Sequence, residues 1–111
     1  MWPQNKYKAT KVKTEDGTFD SKREYKRWCE LKLLERAGVI HDLQRQVTFE
    51  LIPSQRINGK VAERAVTYKA DFTYNENGRY IVEDTKGMRT KDYIIKRKLM
   101  LFMKDIQIKE V

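Results

Sequence analysis

The chain has 111 residues, enough for one domain with a modest core and too few for two. A formal charge of +8, with 36% of residues charged, favours a polyanionic partner, and no apolar run approaches the length of a membrane span. The single cysteine, Cys29, excludes an internal disulfide and a zinc cluster and fits a reducing cytosol.

Residues 1–10 read as a flexible basic lead, with a DNA-contacting arm as the sharper alternative. No apolar signal core follows Met1, so no export is inferred, and Trp2 docks either on the core or on a partner. A single domain is expected over 11–111. Within Lys11 to Phe19, Asp16-Gly17 sits between short β-compatible runs and predicts a small hairpin.

Ser21, with Glu24 three residues later, has the capping-box spacing and opens a helix. It runs through Tyr25, Trp28, Leu31, Leu34 and Ala37 and stops at Gly38. Glu24 shares a stripe with Trp28 and Leu31, so its carboxylate lies beside the apolar face. It reads as a capping acid that can also reach a site at the edge of a sheet. Cys29 has no partner motif and reads as a packed thiol. His41, the only histidine, reads as a loop residue, which argues against a Ser/His/Asp or Cys/His hydrolase.

Val47 to Leu51 alternates as a half-buried strand ending before Pro53. Gln44 and Gln46 read either as polar strand-edge residues or as groups that orient a water or a phosphate. Ser54 to Glu63 is polar, with Asn58-Gly59 as a turn, and predicts a loop that joins antiparallel strands. Arg56, Lys60 and Arg64 on it are solvated, or lean over a backbone phosphate.

From Tyr68 to Gly87 two strand-like runs flank Asn75-Glu76-Asn77-Gly78 and predict a β-hairpin. On its first arm Val66, Tyr68, Ala70 and Phe72 alternate with Thr67, Lys69, Asp71 and Thr73. On its second, period two sets Val82, Asp84 and Lys86 against Ile81, Glu83 and Thr85. Asp71, Asp84 and Lys86 therefore converge across the hairpin. Two carboxylates and the backbone carbonyl of Thr85 form an oxygen donor set suited to Mg²⁺, with Mn²⁺ also accepted. Lys86 would then orient or deprotonate a water, or offset charge on a phosphate. The plain alternative is a hairpin whose solvent face is simply charged.

After Gly87, Thr90 or Asp92 starts a second helix with an apolar face and a basic one, the latter carrying Lys91, Lys96, Arg97 and Lys98. These cations are solvated or meet phosphates, and Leu99 to Met103 reads as core. Ile106 to Val111 alternates and predicts a last strand, parallel to the second hairpin arm after a crossover.

A helix, three antiparallel strands, a helix and a last strand, with Glu24, Asp71, Asp84 and Lys86 at these places, resembles the PD-(D/E)xK nuclease superfamily. The segments Phe19-Asp20-Ser21-Lys22-Arg23-Glu24, Ala70-Asp71-Phe72 and Glu83-Asp84-Thr85-Lys86-Gly87 are similar to those of small phage-encoded proteins akin to Holliday-junction resolvases. The resemblance implies an α/β (α+β) fold with a restriction-endonuclease-like core, a mixed four- to five-stranded sheet flanked by helices. It further implies a metal-dependent endonuclease, often a homodimer acting on branched DNA, in the cytoplasm of a host carrying the phage or prophage. Alanine replaces proline before Asp71, a departure the superfamily tolerates. The doublet Glu83-Asp84 makes the acidic ligand ambiguous. Spacing to Lys86 and the face argument favour Asp84, leaving Glu83 facing away or serving as an outer ligand.

Overall fold

The computed structural model describes residues 10–111, so the expectations for the basic lead and for Trp2 lie outside the described residues. A small hairpin of β1 (Val12–Thr14) and β2 (Gly17–Phe19) precedes α1 (Lys22–Arg36). β3 (His41–Ile52), β6 (Val66–Glu76) and β7 (Arg79–Asp84) follow, with β4 (Gln55–Ile57) and β5 (Lys60–Glu63) inserted between β3 and β6. α2 (Lys91–Lys104) and β8 (Lys109–Glu110) close the chain. The main sheet has the order β3-β6-β7-β8, antiparallel except for β7 and β8, which are parallel. The chain is therefore α+β with a mixed four-stranded sheet. Among the described residues no helix is long and apolar enough to cross a membrane.

Both helices start where their caps demand. Ser21 is extended, and its hydroxyl accepts from the Glu24 N–H at 3.0 Å. The Glu24 carboxylate returns to the N–H of Asp20 at 2.8 Å, one residue before the usual capping-box partner. Thr90 caps α2 by accepting from the Tyr93 N–H at 3.1 Å.

The sheet separates two apolar clusters. On one face Phe72, Tyr74 and Ile81 pack with Phe19, Leu31 and Trp28, under α1. On the other, Tyr68, Ala70 and Val82 pack with Tyr93 and Met100 of α2. Each fully buried large side chain stabilises the fold by about 1.5–3 kcal/mol. Residues 81 and 82 of β7 thus face opposite ways, as period two requires.

β6 does not keep that rule. Tyr68 and Ala70 face α2, yet Phe72 and Tyr74, two and four residues on, face α1. The change of side falls at Asp71. In register Asp71 stands opposite Gln46, whose φ of +56 is left-handed, and the ladder skips that pair between Arg45↔Phe72 and Val47↔Ala70. One left-handed residue twists both strands, so the single apolar row expected on the first hairpin arm divides between the two cores.

Three expectations need correction. His41 begins β3 and is not a loop residue. Ser54 to Glu63 is not an open loop, because Gln55–Ile57 and Lys60–Glu63 pair as an exposed ribbon around Asn58-Gly59. Leu99 to Met103 is core only at Leu99 and Met100. Leu101, Phe102 and Met103 are exposed, since one helix face alone meets the sheet.

Candidate functional site

The change of side within β6 leaves Tyr68 and Ala70 on the α2 face, and Asp71 shares that face. The β6–β7 ladder pairs Phe72 with Glu83, which makes Asp71 and Asp84 cross-strand neighbours on the α2 side. The two carboxyls are close enough that the charge of Asp71 disfavours ionisation of Asp84. Asp71 Oδ2 accepts the Thr85 N–H at 2.8 Å. Asp84 Oδ2 accepts the Tyr68 hydroxyl, and its Oδ1 lies 3.3 Å from Lys86 Nζ. The Lys86 ammonium rests 4.1 Å from the centre of the Tyr93 ring, which fixes the long side chain against the site.

Burial disfavours the charged form of both acids. Burial raises Asp71 to about 6, against the Thr85 N–H that favours its charged form, and the Glu24 charge pushes it further up. Burial and then the Asp71 charge raise Asp84 to about 7, with Lys86 opposing. The same desolvation, with the hydrogen bond to Asp84, raises the Tyr68 phenol, so Tyr68 stays a donor.

Glu24 arrives from the first turn of α1 and is 2% exposed. Its Oε1 holds Asp20 N–H and its Oε2 takes the Gln46 side-chain amide at 3.0 Å. Gln46 is therefore a link between the α1 cap and the β3 bend. Because both Glu24 oxygens are engaged, the acids of the site reduce to a pair with a nearby third. Among the described residues no three His, Cys, Asp or Glu side chains are arranged as a ready metal cage. The donors that do face one another are hard oxygens with raised affinity for protons. That chemistry fits Mg²⁺, which takes one or two carboxylates and keeps waters.

Glu83 is the acid that does not join them. It is wholly buried on the α1 face, gripped by Arg27 through Nε at 2.5 Å and Nη2 at 3.0 Å, and by the Tyr74 hydroxyl at 2.5 Å. Of the two roles left open for it, facing away is the one observed. Arg27, Tyr74 and Tyr68 were not legible as site-shaping residues. The one available signal was that tyrosines in a buried row need partners for their hydroxyls.

The basic residues divide. Lys91 and Lys98 are exposed on α2 and Lys96 is half-buried. Arg97 lies 3.3 Å from Glu110, which also binds Arg89 and the Tyr93 hydroxyl, so part of its charge is compensated. Arg89 beside it, with these other donors, holds the Glu110 carboxyl down at about 2. Arg64 is exposed between β5 and β6, roughly 20 Å along the strand from Asp71, and is not brought to the acids.

The chain belongs to the family described as protein of unknown function (DUF1064), whose model matches residues 4–110. No curated protein and no solved structure matches it.

Proposed function

We propose that this chain is a metal-dependent DNA endonuclease of the PD-(D/E)xK type with a restriction-endonuclease-like core. The observation that supports it is the meeting of Asp71, Asp84 and Lys86 at the bend of the sheet, with Glu24 brought alongside from α1. Asp71, Asp84 and the Thr85 carbonyl would hold Mg²⁺ or Mn²⁺. When bound, the ion supplies charge stabilisation for the phosphate and an acidified water. Lys86, held between Asp84 and the Tyr93 ring, orients the attacking water or offsets charge on the pentacovalent phosphate. Tyr68 keeps Asp84 in place by its hydroxyl. Gln46 and Glu24 keep the bend beside Asp71. Lys91, Lys96 and Lys98, with Arg97 and Arg64 further out, would contact DNA phosphates.

The substrate we infer is branched DNA of the Holliday-junction kind, cut by a homodimer in the cytoplasm of a bacterial host carrying the phage or prophage. Exposed Ile95, Leu101 and Phe102 on α2 give such a dimer an apolar surface. A second reading, a nucleic-acid-binding module of the same fold without catalysis, draws on the full engagement of both Glu24 oxygens.

The test incubates purified protein with labelled four-way junction and linear duplex, with Mg²⁺ or EDTA, beside Lys86→Ala. Metal-dependent cuts lost in the variant support the nuclease, and preference for the junction supports a resolvase. Salt-sensitive binding with no product under any metal favours the second reading.

A further inference from the structure

A cavity of about 190 Å³ lies between α1 and the end of β7, bordered by Arg23, Lys26, Arg27, Glu30, Thr85 and Val111. Alternation along the strand carries the Thr85 side chain to the α1 side, away from Asp84, while its backbone N–H points to Asp71 Oδ2. The Thr85 hydroxyl is buried there with no hydrogen-bond partner. Among the described residues only one other buried side-chain polar atom shares that condition, Arg45 Nε, and the Arg45 guanidinium is stacked 3.8 Å from the centre of the Phe19 ring. An unpaired buried hydroxyl in a folded protein asks for an explanation, and an absent ligand is one.

The charges around it point the same way. Arg27 holds Glu83 closely and reaches Glu30 only at 3.3 Å, so Glu30, which is half exposed to water, keeps most of its charge at the rim, and the free cations of the cavity among the described residues are Arg23 and Lys26. Val111 turns its carbonyl to the Lys86 N–H at 3.2 Å. Arg23 and Lys26, one helical turn apart, form no ion pair among the described residues. A guanidinium, an ammonium and a hydroxyl donor around one small cavity select an anion rich in acceptor oxygens.

We propose that this cavity is a phosphate-binding subsite, holding an internal phosphodiester group of a nucleic-acid strand whose neighbouring phosphate lies at Asp71 and Asp84. The placement of the neighbour rests on the nuclease reading, but phosphate binding at Thr85 does not. Thr85 joins the two places directly, with its backbone on the acidic pair and its side chain on the basic cavity. It is a positioning residue, and Arg23 and Lys26 anchor the strand.

The test titrates the full ¹⁵N-labelled chain with inorganic phosphate, then with short oligonucleotides bearing a 5′-phosphate or a 5′-hydroxyl. The wild type, Arg23→Ala/Lys26→Ala and Thr85→Val are compared. The expected result is amide shifts at Arg23, Lys26 and Thr85, weakened about tenfold or more in the double variant. In Thr85→Val the weakening is about three- to tenfold, with the remaining spectrum unchanged. Equal shifts from the two oligonucleotides support an internal phosphate; a requirement for the 5′-phosphate overturns it. Shifts confined to Lys91–Lys98, or variants that bind phosphate as the wild type does, overturn the subsite. If the wild type cuts no DNA while the shifts still map to Thr85, the subsite stands and the nuclease reading falls. Cleavage at unchanged KM in the double variant keeps the nuclease and removes the subsite.

Discussion

Glu83 and Asp84 are consecutive acids, 0% and 2% exposed, and they meet opposite fates across one sheet. Glu83 receives three donors, two from Arg27 and one from Tyr74, so its charge is matched where it lies. Asp84 receives one hydroxyl and a lysine 3.3 Å away, and it faces another buried acid. The contrast separates an acid that holds the fold from one that, on the proposed nuclease reading, serves the reaction. A buried carboxylate with its charge matched costs the fold little, whereas two facing each other with one lysine beside Asp84 cost stability when both ionise.

Substitution at positions 83 and 84 is expected to have the largest and most divergent effects. Asp84→Asn is expected to lower junction cleavage by about 10³-fold or more, near 4 kcal/mol in the barrier, with the melting temperature little changed at about pH 5 and raised at about pH 8. Glu83→Gln is expected to behave in the opposite way. It leaves Arg27 half-paired and costs about 2–4 kcal/mol of stability, toward the low side because the Arg27 side chain is 21% exposed. Its cleavage rate below the melting transition should stay within a few-fold of wild type. Denaturation and single-turnover cleavage on both variants decide the matter, and matching losses in both assays would erase the distinction.

The pH dependence comes next. The folded-state values of Asp71 and Asp84 are raised, so the folded chain binds more protons than the unfolded one. Their contribution to stability is full below the unfolded value near 3.8 and is lost as pH rises through about 6 and 7. The metal-free protein is therefore expected to lose about 1–3 kcal/mol between pH 5 and pH 8. Asp84→Asn should flatten that slope, and millimolar Mg²⁺ should restore stability at pH 8 if the ion binds the native state. Urea titrations at both pH values, with and without Mg²⁺, measure each part.

The smallest effect belongs to the two tyrosines. Tyr74→Phe removes one donor from Glu83 and is expected to cost about 1–2 kcal/mol of stability while leaving cleavage unchanged. Tyr68→Phe frees Asp84 and should slow cleavage several-fold with a smaller loss of stability. Paired melting and rate measurements show whether the two hydroxyls serve different ends.

Much of this was readable from local pattern. Ser21 with Glu24, Thr90 and the Asn77-Gly78 turn act through neighbours within a few residues, so spacing alone locates them. Alternation along Ile81 to Lys86 correctly put Asp84 with Lys86 and Glu83 on the other side. The ribbon from Gln55 to Glu63 leaves no signal in the sequence, because its strands are exposed throughout and carry no alternating burial. The exposure of Leu101 to Met103 was illegible for the reverse reason, since an apolar residue does not announce whether a partner covers it.

Taken alone, the sequence determined the helix starts, the hairpin and the side of β7 on which each acid lies, because hydrogen-bond caps and period two are short-range. Only the tertiary structure decided what each acid meets. The bend beside the left-handed Gln46 divides the apolar row of β6 between the two cores, and Arg27, 56 residues before Glu83, closes on it across the α1 face. Those outcomes depend on how strands twist and helices dock, and such long-range contacts leave no local period in the chain.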